Sequence, residues 1–557
     1  MPMSGDMRLR QIVLALVALA GIWIGILIQR SHAPAPPSFA VGPQPPDFPA
    51  PAPTLRPKLV HVPGLKRPVA TAPLVKVTSR PHVAKPAPAR RVHRVRHRAP
   101  RRPQPALAAG TTEVVHPDAR SYAEAPTPPL EQLAISDAQV VALTSSSARI
   151  TWRTNFPTQT QTAFGLDGPT IWAQPNGQAL IEHESLLTGL DFSTTYHVYL
   201  RAVDEWNRAQ TETLTLTTGP MPSSSAARTN GDQMIVDDRP FFASAVWEQC
   251  SDMFASNIDD GINLFMGDGC DDDTALPARL GGRAYSIVDA ANADANGRGL
   301  IGWYFRDEWD AFLESDVTRA ELADSIPAPR ADRISFLTLT NHFYSRADPL
   351  PQGKGMYPVL LSIPDVVGFD LYPLQVWCRP AFGDVFESQR ELHSASGGKP
   401  TFQWIEVARM EQPCRKHPEL DPTPATVRAE TWLAIGGGAD AIGYFPNHWA
   451  RPIGEEVARS NHEIKALAPA LLSPLAAARA DTDAIRVSAR TLNGAVYVIA
   501  VNTTETTLQT KISVDGIAGR SVTVFGGGSV VGSDDQGFSD NFGPLAARVY
   551  LIPPAGW

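Results

Sequence analysis

The sequence has few cysteines and lacks the spacings with which cysteine and histidine usually hold metals. Only four cysteines occur among 557 residues, and none forms a CxxC pair, which argues against zinc-ribbon and thioredoxin-like proteins. No HExxH motif is present, and the acidic stretch DGCDDD at 268–273 lacks the spacing and final glutamate of an EF-hand. We therefore expect neither a metal site nor a cofactor.

Acidic residues are almost missing from the first 112 positions, which carry 17 Lys and Arg but only two acids. That segment has a net charge of +15, so the remainder must carry −23 to give the total of −8. A basic arm is thus joined to an acidic body. No nucleic-acid fold motif and no interleaved aromatic residues accompany the basic run, so we expect no nucleic-acid partner.

Charge is absent from residues 11–28, QIVLALVALAGIWIGILI. Eighteen apolar positions are close to the minimum for a membrane-spanning helix and longer than a usual signal-peptide core. We predict a cytoplasmic N-terminus at 1–10 and a single-pass signal-anchor at 11–28, with the C-terminal domains extracytoplasmic, in the cell envelope or periplasm. Cleavage near Ala33, which would release a secreted protein, is the alternative.

Residues 29–130 lack an apolar period and are rich in Pro, Arg and Ala. This composition predicts a disordered or extended linker. Its basic run is either a solvated tether or a contact with an anionic envelope surface, such as lipid head groups.

Alternating apolar and polar residues appear from position 131 onward and predict antiparallel strands. The runs ARITWRTN at 148–155, TYHVYLRAVD at 195–204 and TETLTLTT at 211–218 show this period of two. Tyr196 follows a leucine-containing corner, as in the tyrosine corner of immunoglobulin-like sandwiches. Residues 131–219 therefore resemble a fibronectin type III domain, whose usual role is that of a spacer or binding module.

Residues 230–477 have the length of a (β/α)8 barrel, and their strand-like and helix-like stretches alternate. Residues 478–557 alternate strongly and contain an Asn-Gly hairpin signal at 493–494, so we predict a small antiparallel β-sandwich there. The predicted barrel strands are 240–250, 262–270, 284–290, 299–309, 334–344, 366–374, 400–410 and 439–449.

Polar and aromatic side chains end nearly every predicted barrel strand, and the C-terminal strand ends of such a barrel meet at the active-site face. Cysteines lie there as well, at or just beyond neighbouring strand ends, so we predict the disulfides Cys250–Cys270 and Cys378–Cys414 in an oxidising compartment. The predicted substrate-binding residues are Trp247, Asp268, Tyr304, Arg306, His342, Asp370, Tyr372, Trp404, Asn447 and Trp449.

The segments GWYFRDEWD, FDLYPL and ADAIGYFPNHW resemble strands four, six and eight of the retaining (β/α)8 glycoside hydrolases. Members of that superfamily carry one catalytic glutamate after strand four and another after strand seven. The resemblance implies that Glu308 is the acid/base and Glu406 the nucleophile, acting on a polysaccharide or oligosaccharide. Asp370 is the alternative second carboxylate. A non-catalytic glycan-binding protein on a degenerate barrel is the competing hypothesis.

Overall fold

The computed structural model describes residues 128–410 and 413–557. The predicted N-terminus at 1–10, the signal-anchor at 11–28 and nearly all of the linker at 29–130 lie outside these residues. No helix within the two described ranges is long and apolar enough to cross a membrane.

The first domain is a six-stranded antiparallel sheet in which the long strand β2 pairs with β1, β3, β4 and β5. Buried and more exposed side chains alternate along β2 and β5, as the sequence predicts. The Tyr196 hydroxyl accepts a hydrogen bond from the Asp191 backbone N–H at 2.9 Å, the contact expected of a tyrosine corner. The strands are β1 Ile135–Leu143, β2 Ser147–Gly165, β3 Ile171–Trp172, β4 Asn176–Thr188, β5 Thr195–Asp204 and β6 Ala209–Thr217.

A closed barrel of eight parallel strands follows, which confirms the predicted barrel. Each predicted strand segment contains one observed strand. The strands are β10 Ala243–Gln249, β11 Leu264–Asp268, β12 Tyr285–Asp289, β13 Leu300–Tyr304, β14 Ile334–Thr340, β15 Val366–Asp370, β16 Thr401–Glu406 and β17 Ala441–Phe445. The helices are α1 Phe254–Asp259, α2 Leu276–Leu280, α3 Tyr357–Ser362, α4 Phe382–Ala395, α5 Pro424–Gly437 and α6 Arg451–Leu471.

Aromatic side chains from β16 fill the barrel interior, and glycines on the flanking strands make room for them. A Cβ built on Gly368 would lie 2.2 Å from the Phe402 ring, and one on Gly443 would lie 2.3 Å from the Trp404 ring. Such distances are too short for any larger residue. The interior is therefore packed with side chains below the mouth, as in other barrels of this size.

Two further antiparallel units complete the described part of the chain. A three-stranded sheet precedes the barrel, and a sandwich of a six-stranded and a four-stranded sheet follows it. The strands are β7 Ala227–Asn230, β8 Gln233–Val236, β9 Arg239–Pro240, β18 Leu475–Ala476, β19 Ala478–Ala480, β20 Ile485–Leu492, β21 Ala495–Asn502, β22 Leu508–Val514, β23 Val522–Val524, β24 Val530–Val531, β25 Ser533–Asp534, β26 Gly537–Phe542 and β27 Ala547–Ile552.

The first β domain packs against the end of the barrel opposite the C-terminal strand ends. Phe192 contacts Tyr285, the first residue of β12, with ring centroids 5.8 Å apart. Asp191 forms a 2.5 Å ion pair with the buried Arg239, just before β10. Trp172 of the same domain packs edge-on against Trp557 at 5.8 Å. This domain is therefore joined to both the barrel and the C-terminal sandwich.

Both predicted disulfides are present, Cys250–Cys270 and Cys378–Cys414. The first joins the ends of β10 and β11, and the second joins the loops that follow β15 and β16. Each bond thus links neighbouring loops on the rim at the C-terminal strand ends.

Candidate active site

The segment after β13 turns sharply and brings Glu308 over the barrel mouth. Strand β13 ends at Tyr304, and Glu308 has a left-handed backbone with φ 47° and ψ 44°. Non-glycine residues rarely adopt this conformation, and they do so mostly where a structure constrains them for function. The alternation of side chains along β13 therefore stops at Tyr304, four residues before Glu308.

Glu308 and Asp370, the last residue of β15, form a carboxyl pair. Their side chains are within hydrogen-bond contact of each other. Burial raises the pKa of both groups, and the neighbouring Asp307 and Glu308 charges raise the pKa of Asp370 further. The Tyr372 hydroxyl donates to Asp370 Oδ1 at 2.9 Å. Two carboxyl groups in contact cannot both be ionised cheaply, so the pair retains a proton.

Two other carboxylates face this pair. Burial and the charges of Glu308 and Glu248 raise the pKa of Asp307 to about 6. Glu248, at the end of β10, also has a left-handed backbone with φ 40°. Burial and the charges of Asp273 and Asp289 raise the pKa of Glu248, while a hydrogen bond from the Trp247 indole opposes the rise.

Tyr304 lies at the base of the mouth, beneath these carboxylates. Its side chain is 7% exposed. Burial raises its pKa, as do the charges of Asp273, Glu248, Asp289 and Asp307. A Cβ on Gly267 would lie 2.6 Å from the Tyr304 hydroxyl oxygen. The glycine in FMGDG therefore provides the space that this hydroxyl occupies.

Aromatic rings surround the carboxylates. Trp247 packs edge-on against Tyr304 at 4.8 Å and against Trp404 at 5.9 Å. On the other side, Tyr372 stacks on Phe445 at 5.8 Å. Trp404 lies deeper in the barrel, where its indole N–H donates to Thr338 Oγ1 at 3.2 Å. Trp247 and Tyr372 thus fit the expected lining of the mouth, whereas Trp404 forms its floor.

Asp310 anchors the turn that carries Glu308. Its side chain is fully buried, at 0% exposure. Its Oδ1 accepts the Thr340 backbone N–H at 2.9 Å, and its Oδ2 accepts the Thr340 and Tyr357 hydroxyls at 2.5 and 2.8 Å. These bonds tie the turn to the end of β14 and to α3.

Glu406 does not share the mouth with Glu308, contrary to the pairing of the two glutamates that the resemblance implies. Its side chain is 0% exposed. Its two oxygens accept the backbone N–H groups of Leu374 and Gln375 at 2.8 and 2.9 Å, and the buried Glu430 of α5 lies against it. Burial raises the pKa of Glu406 to about 7. In this structure Glu406 holds the loop that follows β15.

Three other predicted site residues are engaged in structural contacts. Asp268 accepts the backbone N–H groups of Cys270 and Asp271 and pairs with Arg279. The Trp449 indole lies outside the barrel, where it donates to Asp260 after α1. Arg306 is exposed, and its guanidinium lies 3.6 Å from the centre of the Phe312 ring. None of the three is placed with the carboxyl pair.

His342 and Asn447 lie at the rim of the mouth. The His342 Nδ1–H donates to the Asp348 carbonyl at 2.5 Å, and its charge lowers the pKa of Glu308. The Asn447 side-chain amide donates to the Glu248 backbone carbonyl at 2.8 Å. Asn447 therefore fixes the end of β10, and His342 is a neighbour of Glu308 at the rim.

Sequence reasoning did not select Glu248, Asp307 or Asp289 as site residues. Glu248 is adjacent to Trp247 near a predicted strand end, and this position is the sequence signal that could have identified it as a site residue. Strand alternation gives no guide to the orientation of Asp307, because the strand ends at Tyr304. Among the described residues, no group of three or more His, Cys, Asp or Glu side chains could hold a metal ion.

No protein-family model matches the chain, and no curated protein sequence matches it. Solved structures with some likeness include a putative alpha-galactosidase from Bacteroides fragilis, 9% identical, with a TM-score of 0.38 over 75% of this chain and 98% of that one. An endoxylanase from Clostridium papyrosolvens is 13% identical, with a TM-score of 0.36 over 60% of this chain and 100% of that one. Likeness at this level carries no argument about function, so any functional assignment depends on the residues of the mouth.

Proposed function

We propose that the protein is a glycoside hydrolase that acts at the mouth of its barrel through the Glu308–Asp370 carboxyl pair. One observation carries the proposal: two acidic side chains from different strand ends meet in hydrogen-bond contact at the C-terminal face. Glycosidic bond cleavage needs one protonated and one ionised carboxyl group at the same bond. Trp247 and Tyr372 beside them offer the flat apolar surfaces on which sugar rings stack.

Glu308 is the proposed proton donor. It is half-buried and nearer to solvent than Asp370, so its proton can reach the leaving oxygen of a sugar in the mouth. Asp370 is the proposed nucleophile, because it lies deeper in the mouth than Glu308 and because the Tyr372 hydroxyl, which donates to its Oδ1 at 2.9 Å, holds its carboxyl group in place. This assignment replaces Glu406, whose two oxygens are already occupied by backbone N–H groups.

The contact between Glu308 and Asp370 favours retention of anomeric configuration. An inverting enzyme needs a gap of roughly 6.5–9.5 Å between its carboxyl groups to admit a water molecule, whereas a retaining pair is separated by about 5–5.5 Å. Side chains in hydrogen-bond contact are nearer to the shorter of these separations, and a sugar bound between them would part them. We therefore keep the retaining mechanism as part of the proposal.

Substitution of the carboxyl groups tests the proposal on a panel of polysaccharides and aryl glycosides. Glu308→Gln and Asp370→Asn should each lower kcat at least 100-fold without loss of folding, since general acid–base catalysis alone contributes about 10²–10⁴-fold. Asp316→Asn, at an exposed position, is the matched control. Full activity in Glu308→Gln would disprove its role, and binding of glycans without any cleavage would support the glycan-binding alternative.

Azide rescue separates the two proposed roles. Azide should restore turnover to Asp370→Ala with a glycosyl azide of inverted configuration, because azide then replaces the nucleophile. It should give a product of retained configuration with Glu308→Ala, because the glycosyl-enzyme still forms. Rescue of Glu406→Ala instead of Asp370→Ala would return the nucleophile to Glu406.

The cellular location belongs to the same proposal. We propose an exported enzyme held at the membrane by residues 11–28, with secretion after cleavage as the alternative. The two disulfides support an oxidising compartment. Fractionation of cells that express the full chain, followed by protease accessibility of the barrel, would test the location and orientation.

A further inference from the structure

We infer that the substrate is a cationic glycan, one whose sugars carry free amino groups, and that Glu248 and Asp289 bind an ammonium beside Tyr304. The inference rests on the proposed function, since it concerns the same mouth. It goes further by naming a substrate class and a binding position distinct from the Glu308–Asp370 pair. Three features carry it: the charge of the mouth, a free hydroxyl at its base, and the placement of nearby basic residues.

Carboxylates line one half of the mouth, and they come from four consecutive strand ends. Glu248 is the penultimate residue of β10, Asp273 lies in the loop after β11, Asp289 ends β12 and Asp307 follows β13. The charges of all four act on the Tyr304 hydroxyl, so they converge on one point. A cation placed there would relieve their mutual repulsion, whereas an anionic sugar such as a uronic acid would add to it.

The Tyr304 hydroxyl is a free hydrogen-bonding group at that point. The side chain is 7% exposed, no hydrogen bond to a described residue is found for its hydroxyl, and the oxygen is not among the enclosed unpaired atoms, so it opens into the mouth. A hydroxyl that the protein does not use and that opens into a candidate site is available to a ligand. A phenol oxygen flanked by carboxylates can accept a hydrogen bond from an ammonium group, which has three donors and no acceptor.

Two of the four carboxylates are suited to hold the ammonium. Asp273 already accepts the backbone N–H groups of Asp268 and Asp289 at 3.0 and 2.5 Å, so it serves the loop. Asp307 adjoins the reacting pair. Glu248 and Asp289 remain: Asp289 uses only Oδ1, which accepts the Ala291 N–H at 2.7 Å, whereas both oxygens of Asp273 are occupied. The strained backbone of Glu248, with φ 40°, places its side chain beside Trp247. Strain of this kind persists where surrounding structure enforces it, often at ligand sites.

The arginines near the mouth do not neutralise its carboxylates. Arg306 lies over Phe312 at the surface, and Arg279 pairs with Asp268 and Asp271. Glu248, Asp273 and Asp307 have pKa values raised by burial and by other carboxylates. The mouth therefore has unbalanced negative charge that the substrate would complement. The described residues offer no metal-ligand group that would supply the balance instead.

Matched glycans test the inference in the full-length protein. Oligomers of glucosamine and of galactosamine are compared with their N-acetylated counterparts of equal length, by calorimetric binding at pH 7 and by product analysis. Acetylation removes the charge while keeping the ring and linkage. We expect at least tenfold tighter binding of one amino oligomer, reduced tenfold in Glu248→Gln and Asp289→Asn but not in Asp316→Asn.

Each outcome separates this inference from the proposed function. Cleavage of an N-acetylated or neutral glycan in preference to every amino oligomer would overturn the inference while the glycosidase function stands. Tight binding of an amino oligomer without cleavage would support the ligand class and contradict the proposed glycosidase activity. Equal affinity of wild type, Glu248→Gln and Asp289→Asn for the amino oligomer would mean that attraction is non-specific, and would overturn the assignment of the ammonium site to Glu248 and Asp289. A Ca²⁺-induced rise in Tm that both variants lose would show a metal site instead.

Discussion

Asp310 is a single buried carboxylate outside the mouth on which the position of a site residue depends. It accepts three hydrogen bonds from Thr340 and Tyr357 while fully buried, and the turn with Glu308 begins two residues earlier. The position of Glu308 is therefore set by a neighbour in sequence that is bonded to two other elements.

Asp310→Ala should destabilise the protein by about 1–3 kcal/mol, because it leaves the Thr340 N–H and the Tyr357 hydroxyl buried without an acceptor. Urea unfolding measures this change. Activity should fall as well, since the turn loses its anchor. The exposed Asp316→Ala serves as the control and should alter neither property. Unchanged stability in Asp310→Ala would mean that water replaces the carboxylate.

Individual residues were predicted well where strands continue and poorly where they stop. Trp247, Tyr304, Asp370 and Tyr372 lie at the mouth, as their strand positions indicate. Beyond Tyr304 the backbone leaves the strand, so alternation could not place Asp307 or Arg306. The burial of Glu406 depends on the distant residues Leu374, Gln375 and Glu430, which no local pattern reveals.

At the scale of elements, the sequence predicts the barrel well because each strand and helix carries its own signals. Helix α5 begins after Thr423, which caps the Thr426 N–H at 3.2 Å, and ends at Gly438 with φ 106°. Those residues are visible in the sequence as a capping threonine and a terminal glycine. The loops after the strands depend on tertiary contacts and were not predictable.

Gly267 of β11 provides a test at this scale. It has a φ of 79°, and a Cβ there would meet the Tyr304 hydroxyl. Gly267→Ala should therefore cost about 1–2 kcal/mol for the left-handed backbone and should also displace Tyr304, with at least a tenfold loss of kcat/KM.

Gly281, the residue after α2, is a matched control for that substitution. Its φ is 63°, and nothing lies within 4 Å of its added Cβ. Gly281→Ala should show a similar loss of stability by urea unfolding and retain activity. Equal losses of activity in both variants would show that the effect of Gly267→Ala is one of stability alone.

The whole molecule contains buried carboxyl groups far from the mouth, and these should make its stability depend on pH. Burial raises the pKa of Asp440 to about 8 and that of Glu406 to about 7. The folded state then holds protons that the unfolded state releases above about pH 4. The contribution of these two groups to stability is therefore greatest below about pH 4, falls as pH rises from about 4 to 8, and levels off above.

Asp440→Asn should flatten this dependence, because the amide replaces a protonated acid and its oxygen can still accept the Thr401 N–H. Each carboxyl group with a raised pKa makes the free energy of unfolding fall by about 1.4 kcal/mol per pH unit within this range. Urea unfolding at pH 5, 6.5 and 8 measures the slope, and the exposed Asp483→Asn is the control. An identical slope in wild type and Asp440→Asn would contradict the prediction.

The contact of Trp172 with Tyr497 and Trp557 provides a second test at the scale of the whole molecule. Trp172 is 2% exposed, so Trp172→Ala should cost about 3–5 kcal/mol. The first β domain should also become easier to release by limited proteolysis. Leu180→Ala, at an exposed position of the same domain, is the control. Unaltered proteolysis would show that the barrel contacts alone hold the domain.

The first β domain determines the direction in which the mouth faces relative to the point where the chain enters. Its Asp191 and Phe192 end touches the bottom of the barrel, whereas Pro129 and Glu131 bond to Arg208 at the opposite end of the sheet. The start of the described chain therefore lies at one end of the sheet, the bottom of the barrel contacts the other end, and the mouth is on the far side of the barrel. Tension applied at residue 128 would pass through the domain into the base of the barrel and would not cross the Glu308–Asp370 pair, which lies at the far end.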